Sequence, residues 1–226
     1  MRILHLTSHL DAGGITTYVV RLAEACAARG HQVTVASGGG LFSDRLARAG
    51  IPQWPVPLRT SAEFGLGVAR AVRQVRRRLA EQPVDLIHAH TRVAQVAAHA
   101  LGTRTCIPYV TSWHGFYRRR LVRRLWPCTG RLTIAISEPV ARHLREVFRV
   151  PPERVRLVPH GIEVARFGQP VDASEQQRFR AQMGLSAEGT VIGTVTRLVE
   201  SKGVMHLILS LREVTAQIPH AQVLIV

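Results

Sequence analysis

The sequence predicts an α/β fold in which a parallel β-sheet is covered by helices, followed by the beginning of a second domain of the same kind. Short apolar runs alternate with helical patterns of ten or more residues, which is typical of βαβ units. Glycine-containing breakers separate several of these segments. After a polar stretch near residue 170 the alternation starts again, which indicates a second domain.

The first domain begins with the apolar run RILHLT, the breaker DAGG and the helical pattern ITTYVVRLAEACAARG, which Gly30 terminates. The strand HQVTVAS follows. The remaining segments are predicted in this chain order: helix GVARAVRQVRRRLA, strand VDLIHAH, a helix around residues 93–101, strand IPYVTSWH, helix FYRRRLVRRLW and strand RLTIAIS. Sheets built this way bind ligands beyond the carboxyl ends of their strands.

The stretch GQPVDASEQQ is predicted as a linker that leads into a connecting helix near Ser174. Beyond it we predict the strand TVIGTVTRL, the helix KGVMHLILSLREVTAQI and the strand AQVLIV. We therefore assign residues 1–168 to the first domain, 169–188 to the linker and connecting helix, and 189–226 to the incomplete start of the second domain. One βαβ unit cannot cover both faces of its sheet, so we expect a truncated chain or a partner that completes the domain.

Composition restricts the class of protein. The formal net charge of +15 favours an anionic partner, such as a nucleotide, a phospholipid surface or a nucleic acid. Cys26, Cys106 and Cys128 are odd in number and form no CxxC pattern, so neither a disulfide framework nor a zinc site is indicated. The opening residues do not resemble a signal-peptide core, and no 18 apolar residues run together. These features predict a cytoplasmic protein.

Three histidines lie near predicted strand ends. His88 and His90 occupy alternate positions, so both side chains face the same side of the sheet. They could bind a metal if a third ligand were present, satisfy each other through hydrogen bonds, or line an acceptor cleft. His114, in SWHGF, is followed by Gly115, which allows close approach to the backbone. Taken alone, His114 is better explained as a structural histidine.

Gly13 and Gly14 follow the first strand and open a helix, where free backbone N–H groups and a positive helix terminus could face an anion. A tight turn that requires glycine is an equally good explanation. A dinucleotide site would need GxGxxG and an acidic residue after the second strand. DAGGIT and ASGGG provide neither, so a nicotinamide cofactor is disfavoured.

Lys202 is the single lysine among 30 Lys and Arg residues. Arg197 leaves the end of a predicted strand, and Lys202 stands at the start of the next helix. Both cations are therefore expected to converge with a helix N-terminus on one anion, and a diphosphate fits that description. Together they would stabilise charge on a departing diphosphate.

Two arginine clusters raise the question of a polyanionic partner. The first, in RQVRRR, is predicted to be a solvated helix face. The second, Arg118 to Arg124, lies among apolar residues up to Trp126, as in an interfacial helix, so membrane-surface contact and plain packing both stay open. Neither cluster has aromatic interleaving or a known nucleic-acid-binding motif, so no nucleic-acid partner is predicted.

The motifs GGI, IHAH, WHG, ISE, VPHGIE and GTVTRLVESKG occur in one order along the whole chain. In this respect the sequence resembles retaining sugar-nucleotide glycosyltransferases of family 4, which have two facing Rossmann-like domains in the GT-B arrangement. The resemblance implies that Gly13 and Gly14 lie beside the donor diphosphate and that His114 contacts the transferred sugar. It also implies that Arg197 and Lys202 clamp the diphosphate in place of a divalent metal, so no metal or other cofactor is expected.

The same resemblance implies an acceptor entrance near Thr16, Thr17, the IHAH strand end and the basic FYRRRL segment. Two features depart from the family pattern. The chain has Pro159-His160-Gly161 where the family often has P-N-G, although histidine also occurs there. The acidic E-x7-E segment that grips the donor lies beyond the residues present, so little turnover is expected of this chain alone.

The implied function is transfer of a sugar from a nucleotide-diphosphate donor to a hydroxyl acceptor with retention, in envelope polysaccharide, lipopolysaccharide or glycolipid synthesis. A cytoplasmic location, with peripheral contact at the inner face of the cell membrane through the Arg118 to Trp126 helix, is expected. A non-catalytic nucleotide-binding module and a GT-B nucleotide-sugar epimerase are the alternatives.

Overall fold

The structure is a computed structural model that describes residues 1–226, apart from the side chain of Arg166. By its internal contacts the chain divides into two compact units, Met1–Gly161 and Ile162–Val226. The domain limits 1–168, 169–188 and 189–226 stay a prediction.

The first unit contains a fully parallel sheet, which confirms the predicted α/β class. In the part of the chain that the structure describes, seven strands pair in the order β3-β2-β1-β4-β5-β6-β7. Each strand-to-strand pairing is parallel. The strands are β1 (Arg2–Leu6), β2 (Gln32–Ser37), β3 (Gln53–Pro55), β4 (Leu86–Ala89), β5 (Tyr109–Trp113), β6 (Leu132–Ala135) and β7 (Val155–Leu157).

Helices connect these strands. They are α1 (Gly14–Ala28), α2 (Ser43–Arg48), α3 (Leu66–Glu81), α4 (Arg92–Thr105), α5 (Leu121–Leu125) and α6 (Glu138–Glu146). Helix α1 ends as the sequence predicts, because Gly30 takes a left-handed φ of 80° and its N–H donates to the carbonyl of Ala27. Helix α6 begins at a Ser137 cap, whose hydroxyl accepts from the N–H of Val140.

The sheet is buried on both faces, which explains its apolar strands. Leu4 and Leu6 of β1 belong to one buried cluster with residues of α3 and α4. Val33 and Val35 of β2 belong to another cluster with residues of α1. Because alternate residues of a strand face opposite sides, and β1 and β2 pair in register, the two clusters lie on opposite faces.

The predicted helix FYRRRLVRRLW is wrong in its extent, because only Leu121–Leu125 is helical. Tyr117 instead packs against the buried ring of Trp113, with ring centroids 4.6 Å apart. The Tyr117 carbonyl accepts a hydrogen bond from the ring of His143. The hydrogen bond with His143, 26 residues away, gives the Tyr117 carbonyl a partner outside a helix. The structure also adds β3, β7, α2 and α6, which the sequence analysis did not assign.

The second unit contains the two-stranded parallel sheet of β8 (Val191–Thr194) and β9 (Gln222–Ile225). Its helices are α7 (Val164–Phe167), α8 (Ala173–Gln182) and α9 (Val204–Gln217). Helix α8 is the predicted connecting helix, and the Asp172 carboxylate caps it by accepting from the N–H groups of Ser174 and Glu175. Strand β8 is shorter than predicted, so Arg197 lies in the loop that follows it.

Among the described residues, no helix combines the length and the apolar character needed to cross a membrane.

Candidate functional site

The candidate site of the first unit lies at the carboxyl edge of the sheet, where the strand order changes direction. β1 lies between β2 and β4, so the chain builds the sheet outward on one side of β1 and then on the other. In open α/β sheets such a position forms the ligand-binding crevice. His5 near the end of β1, His88 in β4, His90 after β4 and His114 after β5 all lie at this edge.

His5, His88 and His90 form a buried cluster. His5 pairs in register with His88 on the neighbouring strand, so both rings face the same side of the sheet, and His90 follows two residues later. The His5 Nδ1 and His90 Nε2 atoms are 3.0 Å apart. The His88 Nε2 atom lies 2.8 Å from the Ser112 hydroxyl oxygen. The rings therefore satisfy part of their hydrogen bonding among themselves and with Ser112.

Burial keeps these three rings neutral. It lowers the pKa of His5 to about 4. Burial also lowers the pKa of His88 and His90 well below the ordinary value, and the charges of neighbouring histidines add to the effect. An imidazolium without water or a carboxylate beside it is costly, so the neutral form prevails at neutral pH.

His5 supplies the third potential metal ligand that the sequence analysis did not find for His88 and His90. Each of the three rings offers a ligand atom within 4.8 Å of the others. However, the hydrogen bonds between His5 and His90 and between His88 and Ser112 already engage one nitrogen of every ring. The other nitrogens of His5 (Nε2) and His90 (Nδ1) are buried and have no partner among the described atoms, so hydrogen bonding does not account for every ring nitrogen of the cluster. The expectation that no metal is needed stays a prediction.

His114 lies beside this cluster and is paired with a residue distant in sequence. Its Nδ1 atom is 3.1 Å from the Nε2 atom of His160, and its ring centroid is 5.8 Å from that of His90. Tyr18 of α1 stacks on His160 and meets His114 edge-on. Burial, with a contribution from His160, lowers the pKa of His114 to about 4. Its other nitrogen, Nε2, is buried and has no partner among the described atoms.

Gly13 and Gly14 stand at the open N-terminus of α1. Gly13 is extended, with φ of 161°, and Gly14 is the first helical residue. A Cβ atom built on either glycine meets nothing within 4 Å. The helix has neither a side-chain cap nor an acidic residue in its first turn. Within the first unit, therefore, neither turn geometry nor packing accounts for these two glycines, and the positive helix end is accessible.

Arg197 and Lys202 lie in one loop of the second unit, between β8 and α9. Two backbone hydrogen bonds shape this loop, from the Val199 N–H to the Arg197 carbonyl and from the Lys202 N–H to the Val199 carbonyl. Lys202 closes a short 3₁₀ turn rather than starting α9, and Gly203 follows with φ of 68°. Both cations are exposed. Their joint action with Gly13, Gly14 and His114 of the first unit stays a prediction.

Residues 116–126, hereafter the basic apolar segment, expose both apolar and cationic side chains. Leu121 is 70% exposed, Leu125 63% and Trp126 55%. Arg92 of α4 donates from its guanidinium to the carbonyls of Trp126 and Pro127, at 2.8 and 2.6 Å. The segment is thus attached to the body of the first unit while its leucine and tryptophan side chains are largely exposed to solvent.

Glu63 links Arg92 to the basic apolar segment. Its carboxylate accepts from Nε of Arg92 at 2.8 Å and from Nε of Arg123 at 2.7 Å. The Glu63 side chain is 10% exposed. Burial alone would raise the pKa of Glu63, but the hydrogen bonds and charges of Arg123 and Arg92 outweigh it and hold the pKa below its ordinary value.

The sequence analysis missed His5, Tyr18 and Glu63, and it treated His160 only as a departure from a family pattern. His5 could have been predicted from the sequence, because it lies in the first strand and is expected at the same edge of the sheet as His88. Nothing in the sequence distinguishes Glu63, because a single acidic residue in a polar loop is ordinary.

Comparisons with known proteins identify the family and the fold. Residues 12–166 match the model of Glycosyltransferase Family 4. The chain is similar to D-inositol 3-phosphate glycosyltransferase of Jonesia denitrificans, with 26% identity over 85% of this chain and 52% of that protein. It is also similar to the putative glycosyltransferase EpsF of Bacillus subtilis, with 28% identity over 89% of this chain and 55% of that protein. The chain therefore spans about half the length of the curated relatives it matches.

Among solved structures, Anabaena Alr3699/HepE in complex with UDP-glucose superposes with a TM-score of 0.80 and 22% identity, covering 100% of this chain and 60% of that one. At 22% identity, this structural similarity shows that the two chains share a fold.

Proposed function

Because the chain belongs to glycosyltransferase family 4, we propose that it serves the transfer of a sugar from a nucleotide-diphosphate donor to a hydroxyl acceptor, with retention at the anomeric carbon. The family match over residues 12–166 carries this proposal. The acceptor belongs to envelope polysaccharide, lipopolysaccharide or glycolipid synthesis. The resemblance of the motifs GGI, WHG and GTVTRLVESKG to the family supports the choice of a nucleotide-diphosphate donor.

The main chemical task is to stabilise the departing diphosphate. Arg197 provides a planar fork for phosphate oxygens, and Lys202 provides a compact positive charge in the same loop. The accessible N-terminus of α1 at Gly13 and Gly14 provides further N–H donors for an anion. Retention without a covalent intermediate requires the acceptor hydroxyl to attack from the face that the diphosphate leaves, while the hydroxyl proton passes to an oxygen of the departing diphosphate. In this mechanism the protein acts through positioning and electrostatic stabilisation.

His114 serves the sugar rather than the phosphate. Since its pKa is lowered to about 4, it is neutral at physiological pH and can act as a neutral hydrogen-bond donor or acceptor. A neutral ring can hold a sugar hydroxyl without adding a charge next to the anomeric carbon, where positive charge develops.

Replacing Arg197 and Lys202 together by alanine is expected to weaken binding of UDP by about a hundredfold or more, because each of the two charge-assisted hydrogen bonds contributes roughly 1.5–3 kcal/mol. Isothermal titration calorimetry of the 226-residue chain with UDP, GDP and ADP measures the effect and identifies the preferred base. Arg212→Ala, an exposed arginine in α9, is the matched control and should bind as the wild type does. Equal affinity of the double variant and the control would refute the diphosphate clamp.

We also propose that the basic apolar segment contacts the inner face of the cell membrane. Exposed leucine and tryptophan side chains beside arginines favour an interface between acyl chains and anionic headgroups. This contact would bring a lipid-linked acceptor to the site.

Exchange of Leu121 and Leu125 for serine is expected to lower partitioning onto vesicles of phosphatidylcholine and phosphatidylglycerol by about tenfold or more, since each buried leucine contributes roughly 1.5–3 kcal/mol. Vesicle sedimentation measures this partitioning. Leu209→Ser, an equally exposed leucine in α9, is the control. Binding that is the same in the double variant and in the wild type would exclude the segment as the membrane contact.

A further inference from the structure

The rings of His114 and His160 face each other through one nitrogen each. His114 Nδ1 and His160 Nε2 are 3.1 Å apart, a hydrogen-bonding distance. Tyr18 stacks on the His160 ring with centroids 4.6 Å apart and an interplanar angle of 23°. This stack limits the freedom of His160 and keeps its Nε2 atom beside His114.

Two arrangements of the proton in this hydrogen bond are compatible with neutral rings. In the first, His160 donates from Nε2 and His114 keeps its own proton on Nε2. In the second, His114 donates from Nδ1, so both rings must carry their proton on Nδ1. Burial lowers the pKa of both rings, so both are neutral at physiological pH. A neutral histidine ring intrinsically favours the Nε2–H tautomer, and only the first arrangement leaves both rings in that form.

The first arrangement has a chemical consequence at the free edge of His114. Its Nε2 atom is buried and has no partner among the described atoms. A buried N–H group without an acceptor costs roughly 1–3 kcal/mol. An incoming oxygen ligand would remove that cost, so the site is prepared for a hydrogen-bond acceptor.

We propose that His160 is a positioning residue that holds His114 as an Nε2–H donor to an oxygen of the bound sugar. The identity of the ligand as a sugar rests on the proposed function, whereas the hydrogen bond and the tautomer do not. Tyr18 supports the pair by stacking on His160. The histidine of the PHG motif, which departs from the frequent P-N-G pattern, therefore acquires a specific role.

The direct test is nuclear magnetic resonance of the wild-type chain labelled with ¹⁵N in its histidines. We expect a through-hydrogen-bond coupling between His160 Nε2 and His114 Nδ1, with the proton on His160, and the Nε2–H pattern for His114. Absence of the coupling, or a proton on His114 Nδ1, would overturn the proposal. This readout requires no ligand.

Two variants of His160 then separate donation from stacking. His160→Phe keeps an aromatic ring for Tyr18 but removes the donor, whereas His160→Gln keeps an amide N–H donor near the position of Nε2. In His160→Phe we expect affinity for UDP-glucose to fall by about fivefold to tenfold, with affinity for UDP unchanged, because the lost hydrogen bond contributes roughly 1 kcal/mol. The affinity of His160→Gln for UDP-glucose should stay within about threefold of that of the wild type.

The outcomes distinguish failure of the positioning role of His160 from failure of the proposed function. Equal loss of UDP and UDP-glucose affinity in His160→Phe would indicate a general structural role and overturn the positioning role. If the wild type bound neither ligand while the coupling was observed, the proposed function would fail and the hydrogen-bonded pair would stand.

Discussion

At pH 5 the first unit is expected to lose at least about 2 kcal/mol of unfolding free energy relative to pH 7, because His5 is buried in a neutral form with a pKa of about 4. The pKa values of His88 and His90 are lowered in the same direction, so these rings add to the loss. A loss of this size is a large fraction of the total stability of a domain.

The direction follows from proton uptake. In the unfolded chain the pKa of each ring returns to about 6.5, so below that pH the unfolded chain binds protons that the folded chain does not. The contribution of His5 is therefore small above about pH 6.5 and becomes increasingly destabilising as the pH falls toward about 4. The lowered pKa values of His88 and His90 act in the same direction.

Urea unfolding at the two pH values, followed by tryptophan fluorescence, measures the effect. The three tryptophans, Trp54, Trp113 and Trp126, all belong to the first unit and report its unfolding. His5→Gln should reduce the pH dependence, whereas His206→Gln, in an exposed histidine of the second unit, should leave it unchanged. Wild-type unfolding free energies that agreed within about 0.5 kcal/mol would contradict the neutral cluster.

Replacing Glu63 by glutamine is expected to destabilise the first unit by about 3 kcal/mol, because it leaves two arginines without their shared carboxylate in a poorly hydrated place. The Arg92 side chain is 8% exposed and that of Arg123 16%. Their charges would then repel each other with little screening by water. Equilibrium unfolding in urea at pH 7 measures the cost.

The matched control is Glu138→Gln. Glu138 also pairs with an arginine, Arg145, but its side chain is 53% exposed and that of Arg145 37%. An ion pair in water contributes little, so this variant should lose less than about 1 kcal/mol. Similar losses in the two variants would show that burial of the Glu63 cluster does not govern its contribution.

Features that depend on a few consecutive residues were predictable from the sequence. The alternation of apolar runs and helical patterns predicted the α/β class, and the structure confirms it. The two-residue period of a strand predicted that His88 and His90 face the same side, and their rings are indeed adjacent, with centroids 4.1 Å apart. The polar stretch GQPVDASEQQ predicted a connecting helix near Ser174, and helix α8, capped by Asp172, lies there.

Features that depend on contacts between residues distant in sequence were harder to predict. The helix predicted from Phe116 onward matched a local pattern, but the Tyr117 carbonyl bonds to the ring of His143, 26 residues away, and the helix begins only at Leu121. Strands β3 and β7 are three residues long, too short to display a period.

The sequence by itself determined the α/β class and the strand ends at which His88 and His114 lie, whereas the joint action of Arg197 and Lys202 stays a prediction. Only the tertiary structure decided which residues meet there. His5 lies 85 residues from its partner His90, and Glu63 lies 60 residues from Arg123. Local periodicity reflects backbone geometry over a few residues, whereas these contacts depend on strand order and helix packing, which no short segment of the sequence specifies.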